Sequence, residues 1–339
     1  MKKMGFGIIG CGGAAIPVCA AIADSATAQL RMVFDLDQPL ARELASLYQV
    51  PSAENIEELI HAHEVDAVYI AVPHDQLYSI ARSALLAGKH ALVEKPMALT
   101  LSQADELIAL SEQKNLKLGV YYELRHTQSF SQARHLIQAG AVGKVVGIRV
   151  QTLIDKPLTY WQSGYAERST NPWRGEKTRA GGGVVLMNTS HQLDAIRYLT
   201  GLEVVRVTAQ TGTLTADVEV EDIASATLCF DNGTICSLFA MAHAVGAQAG
   251  CDEHFDIFGT EGQLKVPDAY GHGALQVFLR KKLEDTQLNI SIPAGFGQRS
   301  RRLVSPSMPR PSKLLCRQST ITIPFRQAGT TLGRCWRLC

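Results

Sequence analysis

A glycine-rich turn follows the first apolar run of the chain and has the spacing of a phosphate-binding loop. Gly10-Cys11-Gly12-Gly13-Ala14-Ala15 matches the pattern G-x-G-x-x-A. The first glycine permits a tight turn, the second lets the backbone approach a pyrophosphate, and a small third residue lets a helix pack closely on the strand. Taken alone the motif is weak, because glycines also form ordinary turns.

An aspartate follows the second apolar run, 23 residues after Gly12. The Asp35 carboxylate can accept hydrogen bonds from the ribose hydroxyls of an adenosine. Its charge disfavours a 2′-phosphate, Asp37 adds to that repulsion, and no Arg or Lys immediately follows. The pattern therefore predicts NAD in preference to NADP; the alternative is that Asp35 only caps the next helix.

Glu94-Lys95-Pro96 follows a further apolar run, His90 to Val93. Hydride transfer from an alcohol requires removal of the hydroxyl proton, and a lysine partly desolvated in a cleft can serve as the base. The spacing equally allows an exposed lysine paired with Glu94, or a strand end stopped by Pro96.

The elements that must position these residues alternate between Gly5 and Val120, where short apolar runs are separated by segments of helical period. This alternation predicts a parallel sheet covered on both faces, with ligands at the carboxyl ends of the strands. The helices that follow the second and fifth strands are predicted to begin near Pro39 and Ser102. Six strands are expected: Phe6 to Ile9, Leu30 to Phe34, a weak one near Val50, Ala67 to Val72, His90 to Val93 and Lys117 to Val120.

Several further motifs, in this order and spacing, extend over about residues 4 to 280. They are Val65 to Pro73, Gly88-Lys89-His90, Glu94-Lys95-Pro96, Trp173-Arg174, Gly181 to Gly183, His191 to Asp194 and Phe258 to Gly262. Together with the glycine loop, the set resembles the glucose-fructose oxidoreductase, inositol dehydrogenase and MocA (Gfo/Idh/MocA) family.

The resemblance implies an α/β protein of two domains. Residues 1–122 would form a Rossmann domain with a doubly wound parallel sheet. Residues 123–285 would form an α+β domain whose open, mostly antiparallel sheet packs over the nicotinamide site and joins subunits into a homodimer or homotetramer.

The resemblance also assigns roles. Lys95 matches the active-site lysine of the family, and the Lys95–Pro96 bond is often cis in relatives. His191 matches the histidine that contacts the substrate hydroxyl or shares the acid–base work. Asp194 shares a helix face with His191 if this segment is helical; without the resemblance, a packed helix with a hydrogen-bonded His and Asp is the plainer interpretation.

Two sets of residues are expected to line the ligands. The cofactor set is Gly10, Cys11, Gly12, Gly13, Ala14, Asp35, Ala71, Pro73, His74, Glu94 and Lys95. The substrate set is Arg125, Trp173, Arg174, Asn188 and His191. No metal is expected, because His191 and Asp194 alone lack the ligands for one.

One position departs from the family. Many relatives carry an Asp four residues before the histidine, and this chain has Met187, with Asn188 beside it. Methionine cannot relay a proton. The enzyme is impaired if that carboxylate is required; if Lys95 and His191 suffice, as we favour, its rate or substrate choice differs.

Composition limits the partners. The formal net charge is +1, which provides no overall field for nucleic acid or an anionic membrane, so a small-molecule substrate is expected. The eight cysteines are scattered and typical of reduced thiols in a cytoplasm. The charge-free run from Met4 to Ala23 resembles a signal peptide, but its five glycines and Pro17 argue against one.

The tail is anomalous. From Thr286 to Cys339 it contains no Asp or Glu, is rich in Arg and Pro, and has no helical or strand period. It is either a natural basic tail for an acidic partner or the product of a shifted reading frame near residues 290–300. We favour the frameshift, because members of the resembled family end in an amphipathic helix.

Together these features predict an NAD-dependent oxidoreductase acting on a secondary alcohol of a sugar, cyclitol or related polyol. Two alternatives stay open: a catalytically weak NAD-binding or regulatory protein, and a glycosidase that uses bound NAD for transient oxidation.

Overall fold

The structure is a computed structural model, and it describes residues 2–165, 171–247, 253–266, 275–280 and 321–324. Two sheets organise these residues, one parallel and one mostly antiparallel. The α/β fold class predicted from the sequence is confirmed.

The first sheet has five parallel strands, each followed by a crossover to the next. Its strands are β1 (Met4–Ile9), β2 (Ala28–Phe34), β3 (Ala67–Ile70), β4 (His90–Val93) and β5 (Leu118–Val120). Its helices are α1 (Ala15–Ala23), α2 (Gln38–Tyr48), α3 (Ile56–His61), α4 (His74–Leu86) and α5 (Leu101–Gln113). The order β2-β1-β3-β4-β5 reverses direction at β1, and a ligand crevice is expected outside the carboxyl ends of β1 and β3.

Side-chain caps fix where two of these helices begin. Asp37 caps α2 by accepting a hydrogen bond from the backbone N–H three residues on, and Pro39 lies in the first turn as predicted. The cap of α5 is Thr100, whose extended backbone lets its hydroxyl accept from the N–H of Gln103. Ser102 lies inside the helix, so the predicted start was two residues late.

The weak strand predicted near Val50 is wrong. Ser52 forms a single isolated bridge with Val33. Two backbone hydrogen bonds make this bridge: the N–H of Val33 donates to the Pro51 carbonyl, and the N–H of Ala53 donates to the Val33 carbonyl. Pro51 has no N–H to extend a ladder, so the contact stays an isolated bridge beside β2.

The second sheet follows a 3-10 turn (Glu123–His126) and contains eight strands. The helices of this region are α6 (Gln128–Gln138), α7 (Tyr160–Ser163), α8 (Lys177–Ala180) and α9 (Ser190–Thr200), with a π-helical turn at Val185–Thr189. The strands are β6 (Val145–Leu153), β7 (Val204–Gly212), β8 (Ile223–Phe230), β9 (Ile235–Met241), β10 (Glu253–Gly259), β11 (Gly262–Val266), β12 (Gln276–Leu279) and β13 (Ile321–Pro324). The order is β12-β11-β10-β6-β9-β8-β7-β13, and among these described strands only the β6–β9 pairing is parallel.

The two faces of this sheet differ. One face packs under α6 and α9 around a core that includes Phe130, Ile148 and Leu238. The other face leaves Val146, Ile235 and Phe239 exposed. The alternation of buried and exposed residues along β9 is what period-2 strand geometry produces.

A short piece of the anomalous tail joins this sheet. Ile321–Pro324 pairs antiparallel with β7 at the sheet edge, which corrects the expectation that the tail contains no strand. An edge strand offers unpaired backbone groups, and the β-branched Ile321, Thr322 and Ile323 suit extended structure. The other tail residues beyond 280 lie outside the described residues, so the frameshift hypothesis stays a prediction.

Within the part of the chain that the structure describes, no helix combines the length and apolarity that crossing a bilayer requires.

Candidate active site

The glycine loop joins β1 to α1 and requires a glycine at its first position. Gly10 has φ +96°, and a Cβ on it would lie 2.3 Å from the carbonyl oxygen of Ala71 on the neighbouring strand end. Its N–H donates to the Phe34 carbonyl at 2.8 Å. The loop is thus fixed against both flanking strands by a close backbone approach.

The next part of the loop is open where a ligand would come near. A Cβ on Gly12 would meet no atom within 4 Å, and Gly13 and Ala14 are exposed in front of the first turn of α1. Ala15 is fully buried, as close packing of helix on strand demands. The bare backbone at a helix N-terminus fits a pyrophosphate, so these residues suit a dinucleotide.

Asp35 ties the loop to the next helix. Its Oδ2 accepts from the N–H of Cys11 at 2.7 Å, and its Oδ1 accepts from the N–H of Asp37 at 2.8 Å. The Cys11 side chain is buried against the Phe34 carbonyl, so any cofactor contact of this residue uses its backbone. The carboxylate retains lone pairs for ribose hydroxyls.

His74 begins α4 after Pro73 and lies between the two domains. Its Nδ1 is 2.8 Å from the Ala180 carbonyl, and its ring centroid lies 4.5 Å from that of Trp173. The side chain is almost fully buried, and this desolvation lowers the pKa of His74 to about 3. It is therefore a neutral donor to the second domain, and its contact with the cofactor, like those of Ala71 and Pro73, stays a prediction.

Glu94 directly follows β4 and is held by a tyrosine that the sequence analysis did not select. The Tyr69 hydroxyl donates to Glu94 Oε1 at 2.5 Å and lies 3.5 Å from the carbonyl oxygen of Ala14. The backbone N–H of Lys95 donates to Glu94 Oε2 at 3.2 Å. Tyr69 thereby links the glycine loop to the strand end that carries Lys95.

Lys95 reaches across to the second domain. Its Nζ donates to the backbone carbonyl of Met187 at 2.6 Å, and the Lys95–Pro96 bond is cis. The Met187 side chain points away into the core, where its sulfur accepts from the Tyr160 hydroxyl at 3.6 Å. The π-helical turn Val185–Thr189 therefore presents to Lys95 a carbonyl oxygen, where the resemblance had implied a carboxylate.

His191 lies one turn further along the same segment, in α9. Its Nδ1 is 3.7 Å from Glu123 Oε2, too far for a hydrogen bond, and has no hydrogen-bond partner among the described residues. Burial, and then the charge of Lys95, hold the pKa of His191 well below its ordinary value. Burial also raises the pKa of the Glu123 carboxyl. The imidazole is neutral, edge-on to the ring of Tyr122.

Asp194 lies on α9 as expected but serves another partner. Both of its oxygens accept from Arg125, one from Nε at 2.7 Å and the other from a terminal nitrogen. The Arg125 guanidinium also lies over the ring of Tyr198. Asp194 is therefore paired with Arg125 rather than with His191, and the substrate contact predicted for Arg125 stays a prediction.

A second lysine, Lys156, lies at the edge of the site, three residues after the end of β6. Lys156 is 2% exposed, and its Nζ donates to Asn188 Oδ1 at 2.7 Å. The same nitrogen lies 3.8 Å from the ring centroid of Tyr160. Asn188, which the sequence analysis placed in the substrate set, thus orients a buried ammonium beside Met187.

Trp173 and Arg174 form the remaining wall. Trp173 is buried against His74, and the guanidinium carbon of Arg174 lies 4.7 Å from the Trp173 centroid and 5.5 Å from that of Tyr160. Arg174 thus lies beside the Tyr160 ring that Lys156 also contacts, and the contact of Trp173 and Arg174 with substrate stays a prediction.

Two functional candidates escaped the sequence analysis: Tyr69 and Lys156. Lys156 had no signal, because a single lysine between Asp155 and Pro157 is indistinguishable in sequence from a surface lysine. Among the described residues, no group of three or more His, Cys, Asp or Glu is arranged to hold a metal ion.

Comparison with known proteins gives two family matches that together span most of the chain. Residues 4–122 match the oxidoreductase family model with an NAD-binding Rossmann fold, and residues 130–265 match the GFO/IDH/MocA C-terminal domain.

Curated relatives are distant. The 1,5-anhydro-D-fructose reductase of Ensifer adhaerens is 29% identical over 63% of this chain and 60% of its own length. The 1-carboxy-3-chloro-3,4-dihydroxycyclohexa-1,5-diene dehydrogenase of Comamonas testosteroni is 32% identical over 71% of this chain and 58% of its own length. The chain thus spans about three fifths of the length of these relatives.

Solved structures share the fold. Levoglucosan dehydrogenase in complex with NADH and L-sorbose has a TM-score of 0.73 at 28% identity, covering 83% of this chain and 77% of that one. The WlbA dehydrogenase from Bordetella pertussis, in complex with NADH and UDP-GlcNAcA, has a TM-score of 0.72 at 23% identity and 79% coverage of both chains. With both of its domains matched, the chain belongs to the Gfo/Idh/MocA family of NAD-binding oxidoreductases.

Proposed function

We propose that the protein is an NAD-dependent oxidoreductase that transfers a hydride between nicotinamide and a secondary alcohol of a sugar, cyclitol or related polyol. The observation that carries the proposal is the meeting of Lys95 and a neutral His191 at the start of α9, beside the crevice of the first sheet. The names of relatives, a reductase of anhydrofructose and a dehydrogenase of levoglucosan, support a sugar-like substrate.

The chain's own groups account for the proton. When bound, the nicotinamide ring supplies the hydride acceptor. The Lys95 ammonium is held where it can donate to the substrate oxygen, and the neutral His191 can accept the hydroxyl proton as the hydride leaves. Glu123, 3.7 Å from His191 Nδ1, is placed to stabilise the resulting imidazolium.

A catalytically weak NAD-binding protein is the competing function, and Met187 favours it. If a carboxylate at this position were needed to relay the proton, the carbonyl that Lys95 contacts could not replace it, because a carbonyl oxygen only accepts hydrogen bonds.

One experiment separates the two. A panel of sugars and cyclitols is incubated with the full chain and NAD, and NADH formation is followed by absorbance for wild type, Lys95→Met, His191→Asn and the exposed control Lys144→Met. We expect turnover of at least one substrate, with kcat/KM reduced about 10²- to 10⁴-fold in the first two variants and unchanged in the control. Tight NAD binding without turnover on any substrate would instead support the binding protein.

We also propose the domain boundaries 1–122 and 123–285, a cytoplasmic location and assembly into a homodimer or homotetramer. The family matches at 4–122 and 130–265 support the boundaries, and the free thiols of Cys11, Cys19, Cys229 and Cys236 support a reducing compartment. The exposed side chains of Val146, Ile235 and Phe239 on the outer sheet face support packing against a second copy.

A further inference from the structure

Tyr69 lies on β3, inside the first sheet, and has no exposed surface. Its side chain belongs to the hydrophobic cluster that includes Cys11 and Ala15, and its ring is edge-on to that of Tyr121, with the centroids 5.6 Å apart. A phenylalanine ring would fill the same space. Because a buried phenol hydroxyl needs a hydrogen-bond partner, the reason for a tyrosine here lies in what its hydroxyl contacts.

The Tyr69 hydroxyl has one proton to donate, and Glu94 is the nearer of its two acceptors. Oε1 of Glu94 lies 2.5 Å from the hydroxyl oxygen, whereas the carbonyl oxygen of Ala14 lies 3.5 Å away. Burial, and then the charge of Glu94, raise the pKa of the Tyr69 phenol far above its ordinary value. The phenol therefore stays protonated in the neutral pH range and remains a donor to the carboxylate.

Glu94 is attached to its surroundings at both carboxylate oxygens and at its backbone. Its Oε2 accepts from the N–H of Lys95 at 3.2 Å, and its own N–H donates to the carbonyl of Ile70 at 2.9 Å. Tyr69 and Ile70 are consecutive, so the side chain and the backbone of Glu94 are both held by the end of β3. Two hydrogen bonds fix the plane of the carboxylate, and its oxygens keep lone pairs for further donors.

The strand order places Glu94 across the crevice from Asp35. Asp35 follows β2 and Glu94 follows β4, and the glycine loop after β1 lies between them in the order β2-β1-β3-β4-β5. With strands about 4.8 Å apart, the ends of β2 and β4 are separated by about 14 Å. A dinucleotide with its adenosine ribose at Asp35 and its pyrophosphate at the glycine loop would extend its nicotinamide half towards Glu94.

We propose that Tyr69 is a positioning residue for the nicotinamide half of the cofactor, because its hydroxyl holds the Glu94 carboxylate where that half can donate hydrogen bonds to it. Tyr69 has no exposed surface and acts on the cofactor only through Glu94. A hydrogen bond to an ionised acceptor is short and strong, and without it the carboxylate would have to be ordered when the cofactor binds. The inference rests on the cofactor of the proposed function and is independent of which alcohol is oxidised.

The test compares two ligands by titration calorimetry on the full chain: NADH, and ADP, which lacks the nicotinamide half. Tyr69→Phe keeps the ring and removes the hydroxyl. We expect it to raise the Kd for NADH about fivefold or more and to change the Kd for ADP less than about twofold. The control Tyr78→Phe removes another Tyr–Glu hydrogen bond, 2.6 Å long, to Glu106 on the exposed side of the same domain, and should leave both Kd values unchanged.

A double-mutant cycle decides whether Tyr69 acts through Glu94. We expect Glu94→Ala to weaken NADH binding, and in that background Tyr69→Phe should change the Kd less than about twofold, because the group that it positions is gone. Thermal unfolding of each variant verifies that it is folded.

Four results would overturn the role of Tyr69. They are an unchanged Kd for NADH in Tyr69→Phe, an unchanged Kd for NADH in Glu94→Ala, an equal loss of ADP binding in Tyr69→Phe, and a full effect of Tyr69→Phe in the Glu94→Ala background. The last two would show that the hydroxyl only supports the folded glycine loop. Failure of the proposed function is separate, since it shows as no turnover of any alcohol while NADH still binds.

Discussion

The buried imidazole of His74 makes a specific prediction about acid stability. In the folded chain its pKa is lowered to about 3 by burial, whereas an unfolded histidine titrates near 6.5. The unfolded state therefore binds the proton first as the pH falls. The stability contributed by the neutral ring is fully present above about pH 6.5 and is lost as the pH falls towards about 3.

The magnitude follows from the linkage relation. At about pH 5 the unfolded ring is protonated and the folded ring is not, which costs the folded state about 2 kcal/mol relative to about pH 7.5. His74→Asn removes the titration but keeps a side-chain N–H for the Ala180 carbonyl, 2.8 Å from Nδ1 in the wild type.

The assay is urea unfolding of wild type and His74→Asn at the two pH values. We expect the stability lost between them to be smaller in the variant by about 2 kcal/mol. The exposed His63→Asn is the matched control and should lose as much as wild type. If His74→Asn and wild type lose the same stability within about 0.5 kcal/mol, the folded ring is not excluded from protonation and the reasoning fails.

Two further predictions follow. Met187→Leu should change kcat/KM less than about threefold, because Lys95 contacts the backbone carbonyl of residue 187 and the substitution nearly conserves the volume of the core. A loss of kcat/KM of more than about tenfold would show that the Met187 sulfur is needed. Phe239→Lys should lower the mass of the assembly measured by light scattering, because it places a charge on the exposed face of the second sheet. The control is Leu36→Lys, which changes an exposed apolar residue of the first domain. An unchanged mass in Phe239→Lys would contradict assembly through this face.

Local sequence determines the cofactor half of the site. The turn at Gly10 and the carboxylate at Asp35 are each positioned by the strand that precedes them, so their spacing predicted the loop and an acid at the end of the next strand. The hydrogen bond from the Cys11 N–H to Asp35 was not predicted. The prediction of a weak strand near Val50 was wrong because it relied on apolar content. Pro51 has no N–H to donate, so it limits backbone pairing there whatever residues surround it.

The substrate half depends on contacts between distant segments. Glu123 approaches His191, and Arg125 takes Asp194, because the turn after β5 packs on α9. Glu123 and Asp194 are both acidic residues that His191 could contact. The spacing of residues in the sequence does not decide which of the two lies nearer to the histidine. Lys156 is buried by partners from β9's end and from α7, contacts that only the folded second domain creates.

The π-helical turn at Val185–Thr189 also affects how this chain can be aligned. In such a turn the backbone hydrogen bonds join residues five apart, one residue more than in an α-helix. Counting four positions back from His191 therefore does not return to the same face of the segment. A superposition of backbone positions is therefore a sounder basis than counting residues for comparing the Met187 position with that of its relatives.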